Sequence, residues 1–177
     1  MMGKAPDGGK RSKQARLAAT TAKYSNMLLA EGADDRSIAF PEQLERSHLD
    51  FTLASLRALD RYLDRVRIRQ DGLEGYIHLN TVVAVACYLG EVIRRGTPAG
   101  ECQWVRAANV AADGANTGVH LGDFADVVLA VRGSVRPLRL TRVVARYVSS
   151  KRYREPTYEF AAAAINRICT SAASARA

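Results

Sequence analysis

A chain of 177 residues, 47% hydrophobic and 25% charged, has the composition of a soluble globular protein and the length for one core plus an appendage. No apolar run reaches the ~20 residues of a membrane-spanning helix, and no apolar stretch follows the early basic residues at signal-peptide distance, so the cytoplasm is the expected compartment. The net charge of +8 is laid out unevenly: +5 over residues 1–27, −5 over 28–131, +8 over 132–154, where no acid occurs, and zero over 155–177.

Residues 1–45 read as a basic, partly disordered arm. Its opening is rich in Gly, Pro and Lys and has little to bury. From about Lys13, however, Leu17, Thr21, Tyr24 and Leu28 recur at helical spacing, which predicts a weak amphipathic helix. Gly32 and Pro41 break the chain, a single α+β domain is expected over 46–172, and a tail over 173–177. "DFTLASLRALDRYLDRVRIR" predicts the first core helix. Thr52 is placed to cap it, Leu56, Leu59, Leu63 and Val66 form its buried stripe, and Asp60–Arg57 and Asp64–Arg61 are surface pairs on the opposite face.

A second core helix is predicted from Leu73 or Tyr76 to Arg95, stopped by Gly96, Thr97 and Pro98. Val82, Val85, Ala86, Leu89 and Ile93 share its apolar face, and Glu91 points away from that stripe with Arg94 and Arg95 as helical neighbours. Gly90 costs about 1 kcal/mol against Ala in a helix, which points to another backbone packed close by. "CQWVRAANVA" and "FADVVLAVRG" read as strands, with Trp104 in the core or at a sheet edge. "RGSV" is a tight reversal into a short strand that stops at Pro137. "LTRVVARYVSS" returns to helix, and a last helix runs from Pro156 through Tyr158, Ala161, Ala164, Ile165 and Ile168. The predicted architecture is thus α+β: two N-terminal core helices, a small antiparallel sheet and two C-terminal helices.

Little in the chain looks like reaction chemistry. Cys87, Cys102 and Cys169 form no C-x-x-C pair, and His48, His78 and His120 lack metal-ligand spacing, so no metal or other cofactor is expected. "CYLGEVIRR", residues 87–95, gathers a thiol, a phenol, a carboxylate and two guanidiniums. Glu91 stands one turn from Cys87, but a carboxylate raises a thiol's pKa and would not activate it. The stretch reads as a packed helix. Asp60 with Asp64, and Asp123 with Asp126, have acid/base spacing but sit among charged or turn residues and read as solvated. No phosphate loop or nucleophile elbow is present. A non-enzymatic protein is expected.

Three stretches together, "LDFTLASLRALDRYLDR", "VACYLGEVIRR" followed by "QWV", and "VVLAVRGSVRPLRLTRVVARYV", resemble an uncharacterised family of small bacterial proteins. Members carry an LD-x-S/T helix opening, an AYLGEVI helix, a Trp strand, and a strand ending in Pro-Leu before a basic helix. The resemblance covers about residues 49–160. The sequence departs from it at Cys87, where Ala is usual, at Leu53, where Pro is usual, and in a longer connection over 111–124. It implies a compact domain with two helices on a short sheet and implies no activity. Small bacterial domains of this kind often work through protein contacts, sometimes as antidotes to toxins, which is analogy only.

The charge layout points to a binding surface made of Arg132, Arg136, Arg139, Arg142, Arg146, Lys151, Arg152 and Arg154. Arg139, Arg142 and Arg146 follow i, i+3, i+7 spacing along one helical stripe. Arginine is favoured at protein interfaces, so the expected partner is a protein, one carrying acidic groups, such as a toxin or a larger assembly. Nucleic acid is the alternative. Tyr147 and Tyr153 would stack on bases, and the basic arm would add salt-dependent phosphate contacts.

Overall fold

The structure, a computed structural model, describes residues 8–29, 38–70, 79–106, 127–134, 136–149 and 155–175. They form α1 (Gly8–Met27), α2 (Leu56–Gln70), α3 (Leu79–Gly96), β1 (Cys102–Arg106), β2 (Val127–Val131), α4 (Leu140–Ser149) and α5 (Thr157–Ser174), with single 3-10 turns at Pro41–Gln43 and Arg46–His48. The protein is therefore α+β and mostly helical. The strands pair antiparallel, with Cys102 opposite Val131, Trp104 opposite Leu129 and Arg106 opposite Val127.

Helix α3 is the centre of the fold. It packs against α1, α4, α5 and β1, and every residue from Thr81 to Ile93 is buried. A single apolar stripe facing one core, with Glu91 turned away, is thus not what the structure holds: both sides of this helix are covered. The side that carries Glu91 lies under Trp104. A Cβ built on Gly90 would stand 2.3 Å from the indole and 2.8 Å from Leu140 Cδ1. Glycine is needed at position 90 because a ring, rather than another backbone, lies directly against the helix.

Residues from the stretch read as an arm also belong to the core. Thr21, Ser25 and Leu28 of α1 and its end are buried, as are Ile38, Ala39 and Leu44. The predicted stripe of α1 is the one that packs, but it is half polar. Thr21 and Ser25 satisfy their hydroxyls by donating to Ala18 O and Ala22 O within the helix, at 3.0 and 2.9 Å. Farther on, the Ala39 peptide is held on both sides. Its N–H donates to Thr81 Oγ1 at 2.7 Å, and its carbonyl accepts from the Tyr62 hydroxyl. Burial pushes the Tyr62 phenol well above its ordinary pKa, so it stays a donor.

Helix α2 begins later than its sequence signals. Asp50 accepts from the Thr52 N–H at 2.9 Å, Thr52 Oγ1 accepts from the Ser55 N–H at 3.3 Å, and the regular helix starts at Leu56. Its charged face does not form the surface pairs expected from spacing. Arg61 and Arg65 reach Glu45 at 2.7 and 3.3 Å, and Arg57 lies over the Tyr158 ring. Asp60 instead accepts from the N–H and Oγ1 of Thr157, both at 2.7 Å, and from the Tyr158 N–H at 3.2 Å. The residue before α5 is Pro156, which provides no side-chain cap, so the first free N–H groups of the helix are satisfied from α2. Asp60 is therefore not the solvated carboxylate it resembles in sequence: burial raises its pKa, against the pull of the hydrogen bonds it accepts. Asp123 and Asp126 lie outside the described residues.

Strand β2 ends in the reversal read from "RGSV". Ser134 N–H donates to Val131 O at 3.0 Å, and Gly133 takes the left-handed φ of 72° that this turn requires. Leu138 then returns alongside β2 as one bridge to Leu129 instead of a strand. Helix α5 runs through Ser174, past Ile168 and into the small residues expected to form a tail. Alanine is the best helix former, and Ala172 is still buried.

Replacement of Asp60 by Ala strips α5 of its cap and is expected to destabilise the protein by about 1–3 kcal/mol in urea unfolding. Asp60→Asn keeps one acceptor oxygen and is expected to lose clearly less.

Candidate binding surface

Helix α4 carries the core on one face and charge on the other. Leu140, Val144, Ala145, Tyr147 and Val148 are buried, whereas Arg142 and Val143 are half-buried and Arg146 and Ser149 exposed. At 100° per residue, Arg139, Arg142, Val143 and Arg146 share about 100° of the outer arc. The stripe read from spacing thus exists as a face with an apolar residue set among its guanidiniums. None of Arg139, Arg142 and Arg146 is without an interaction inside the protein, so each is held as well as displayed.

Arg132 and Arg136 are exposed on the reversal that leads into this helix. They border a groove of about 920 Å³ between that reversal and the last two turns of α5. Across the groove stands a third exposed arginine, Arg167, which the sequence reading did not single out. Nothing in "AINRICT" marks it: it is one cation in a neutral segment, and only the docking of α5 brings it opposite Arg132 and Arg136. Val131, Leu138, Ile168 and Ala172 supply apolar surface to the same groove. Lys151, Arg152 and Arg154, the rest of the expected basic set, lie outside the described residues, as does Tyr153.

Tyr147 is not available to stack on a base. Its ring is buried, its hydroxyl donates to Asp64 Oδ1 at 2.8 Å, and Arg67 approaches the ring face. Burial, with the carboxylates of Asp64 and Asp60 adding to it, drives the phenol pKa up. Asp64 also pairs with Arg67 at 3.5 Å instead of with Arg61. The two acids of α2 therefore tie down the elements that carry the arginines, α4 through Tyr147 and α5 through Thr157.

The stretch "CYLGEVIRR" is a structural node. The Cys87 thiol is buried and pushed up to about 12, by burial first and the Glu91 charge second, so no thiolate forms at neutral pH. Glu91 Oε1 accepts from the Trp104 indole N–H at 2.9 Å, and Arg94 grips the carboxylate through Nε and Nη2 at 2.8–3.2 Å. Arg95 adds charge at 3.8 Å and lays its guanidinium over Phe51, 3.9 Å from the ring centroid. Phe51 stacks on Tyr88 at 4.5 Å and donates its N–H to the Tyr88 hydroxyl, which also hydrogen-bonds Ser55 Oγ. Those contacts hold Phe51 in its left-handed backbone conformation, φ 61°, which costs a non-glycine residue about 1 kcal/mol or more.

Among the described residues, no group of three or more His, Cys, Asp and Glu side chains is arranged to hold a metal ion, and no helix is long and apolar enough to cross a membrane. Comparison with family models, with curated proteins and with solved structures gave no match to this chain.

Burial alone would raise the Glu91 pKa, but hydrogen bonds from Arg94 and Trp104 and the charges of Arg94 and Arg95 outweigh it and hold the carboxyl below its ordinary value of 4.5. An acid whose folded pKa is lowered stabilises the fold above its unfolded pKa and loses that contribution as pH falls through the folded one. Glu91→Gln is therefore expected to cost roughly 1–3 kcal/mol at pH 7, with a deficit that shrinks below about pH 4.5 when unfolding is followed across pH.

Proposed function

We propose that this chain is a non-enzymatic binding protein whose arginine-rich surface engages a protein partner bearing acidic groups. The observation that carries this reading is the outer face of α4, where Arg142 and Arg146 flank Val143 on the side opposite the core. Guanidinium groups mixed with apolar surface are the composition of protein interfaces, because arginine gives up its weak hydration readily and forms bidentate bonds with carboxylates. A toxin or a larger assembly is the kind of partner such a surface serves.

Two further observations support it over its competitors. The Cys87 thiol, one helical turn from Glu91, is buried and pushed up to about 12 by burial and the Glu91 charge, which speaks against its use as a nucleophile. Tyr147, the described aromatic that would have given single-stranded nucleic acid a stacking platform, is committed to the core and to Asp64. What the surface offers in the described residues is charge and aliphatic carbon.

A photo-crosslinking residue at Ser149, which is exposed at the end of the stripe, tests the proposal in cells that express the full chain. The expected result is a discrete protein adduct that disappears when Arg139, Arg142 and Arg146 are replaced by Ala. Nucleic-acid adducts, together with arginine-dependent binding of mixed DNA or RNA that persists at about 150 mM salt, would overturn it in favour of a nucleic-acid protein. Adducts indifferent to the three substitutions would remove the surface from consideration altogether.

A further inference from the structure

We propose that the groove between the β2–α4 reversal and the end of α5 is a docking site for a peptide segment that carries both acidic and apolar side chains. This proposal rests on the reading of the surface as one that binds protein, and adds both the subsite and the chemistry of what enters it.

Two features of the groove set that chemistry. The first is charge. Arg132, Arg136 and Arg167 are all exposed, and among the described residues none has a carboxylate within salt-bridge distance. Three like charges around one concavity repel one another, and a ligand carrying carboxylates relieves that repulsion while satisfying the guanidiniums with bidentate bonds. Glu101 also borders the groove but is itself buried, and its backbone carbonyl takes the Arg132 N–H at 2.8 Å.

The second feature is the apolar lining. Val131 and Leu138 on one side and Ile168 and Ala172 on the other give the groove a surface that a purely ionic ligand would leave wet. A volume of about 920 Å³ lies at the upper end of what small-molecule pockets hold, roughly 300–1,000 Å³, and accommodates several peptide side chains.

Backbone pairing adds nothing to this chemistry, because the outer edge of β2 is already taken by the chain itself. Leu129 exchanges both backbone bonds with Leu138, at 3.0 and 2.8 Å, and the Val131 carbonyl accepts from Ser134 N–H. Recognition in the groove therefore falls to side chains: carboxylates for the arginines and apolar groups for the lining.

The test uses the full-length protein and a fluorescently labelled octapeptide of alternating Glu and Leu, read by anisotropy at about 150 mM salt. Comparison probes are octa-glutamate, an alternating Lys-Leu octapeptide and oligouridylate. Two exposed residues of α5 report on the groove without disturbing the core: Arg167→Glu reverses one of its charges, and Ser171→Trp fills its mouth. The Glu-Leu peptide is expected to bind at least ten-fold more tightly than octa-glutamate or the Lys-Leu peptide. Each α5 variant should weaken it ten-fold or more, and the triple replacement of Arg139, Arg142 and Arg146 by Ala should weaken it less. Binding lost in that triple variant but untouched by Arg167→Glu and Ser171→Trp would overturn the groove while leaving the wider arginine surface standing. Equal binding of octa-glutamate, tighter binding of oligouridylate, or no binding of the Glu-Leu peptide would each overturn the assignment of the occupant.

Discussion

A carboxylate within the buried run of the central helix is the constraint from which most of this fold follows. Moving an unpaired charge out of water costs far more than a small protein's whole stability, so Glu91 fixes the positions of the groups that compensate it. Arg94 supplies a guanidinium from the same helix, and Trp104 supplies its indole N–H from β1. That second bond requires the indole to cross α3 directly, which in turn requires glycine at position 90. Arg95, half-exposed beyond the carboxylate, extends the network to Phe51 and hence through Tyr88 to the turn that opens α2. One ionised side chain thus links a strand, the central helix and the entry to a second helix.

A parallel arrangement ties the basic C-terminal third to the acidic middle of the chain. Asp60 and Asp64 are one turn apart on α2, and each reaches out of its own helix, Asp60 to the start of α5 and Asp64 to Tyr147 of α4. Both contacts use the inward side of the partner helix. The arginines of α4 are left on its outward side, and Arg167 of α5 is brought across from Arg132 and Arg136. The uneven charge layout therefore has two consequences in the fold. Part of the acidity holds the C-terminal helices in place by hydrogen bonds, and the described cations of this third lie on the outer face of α4 and around the groove.

The apolar periodicities of α2, α4 and α5 and the turn at "RGSV" are local properties, set by spacing and by one glycine, and they are legible residue by residue. What the spacing misjudges is direction. Glu91, Asp60 and Tyr147 each carry a polar group on a helix, where the default reading is a solvated or accessible side chain. Spacing does give Glu91 its pairing with Arg94 and Arg95, but the long-range partners of the three lie 13, 97 and 83 residues away in sequence. No local pattern announces such contacts. Gly90 is the exception that hints at one, because a glycine inside a strong helix needs a reason, although it does not reveal that the reason is an indole ring. The same limit applies to the candidate surface. The stripe of Arg139, Arg142 and Arg146 is a helical repeat and can be read from spacing, whereas Arg167 joins Arg132 and Arg136 only through tertiary packing.

The most direct test of the central role given to Glu91 is a double-mutant cycle for unfolding, comparing Glu91→Gln, Trp104→Phe and the two combined. If the buried carboxylate and the indole are bound to each other as the geometry requires, the two substitutions will be non-additive, with a coupling of about 1–3 kcal/mol, the range for hydrogen bonds to a charged group. Additivity within about 0.5 kcal/mol would contradict that role and leave the indole over α3 as packing alone.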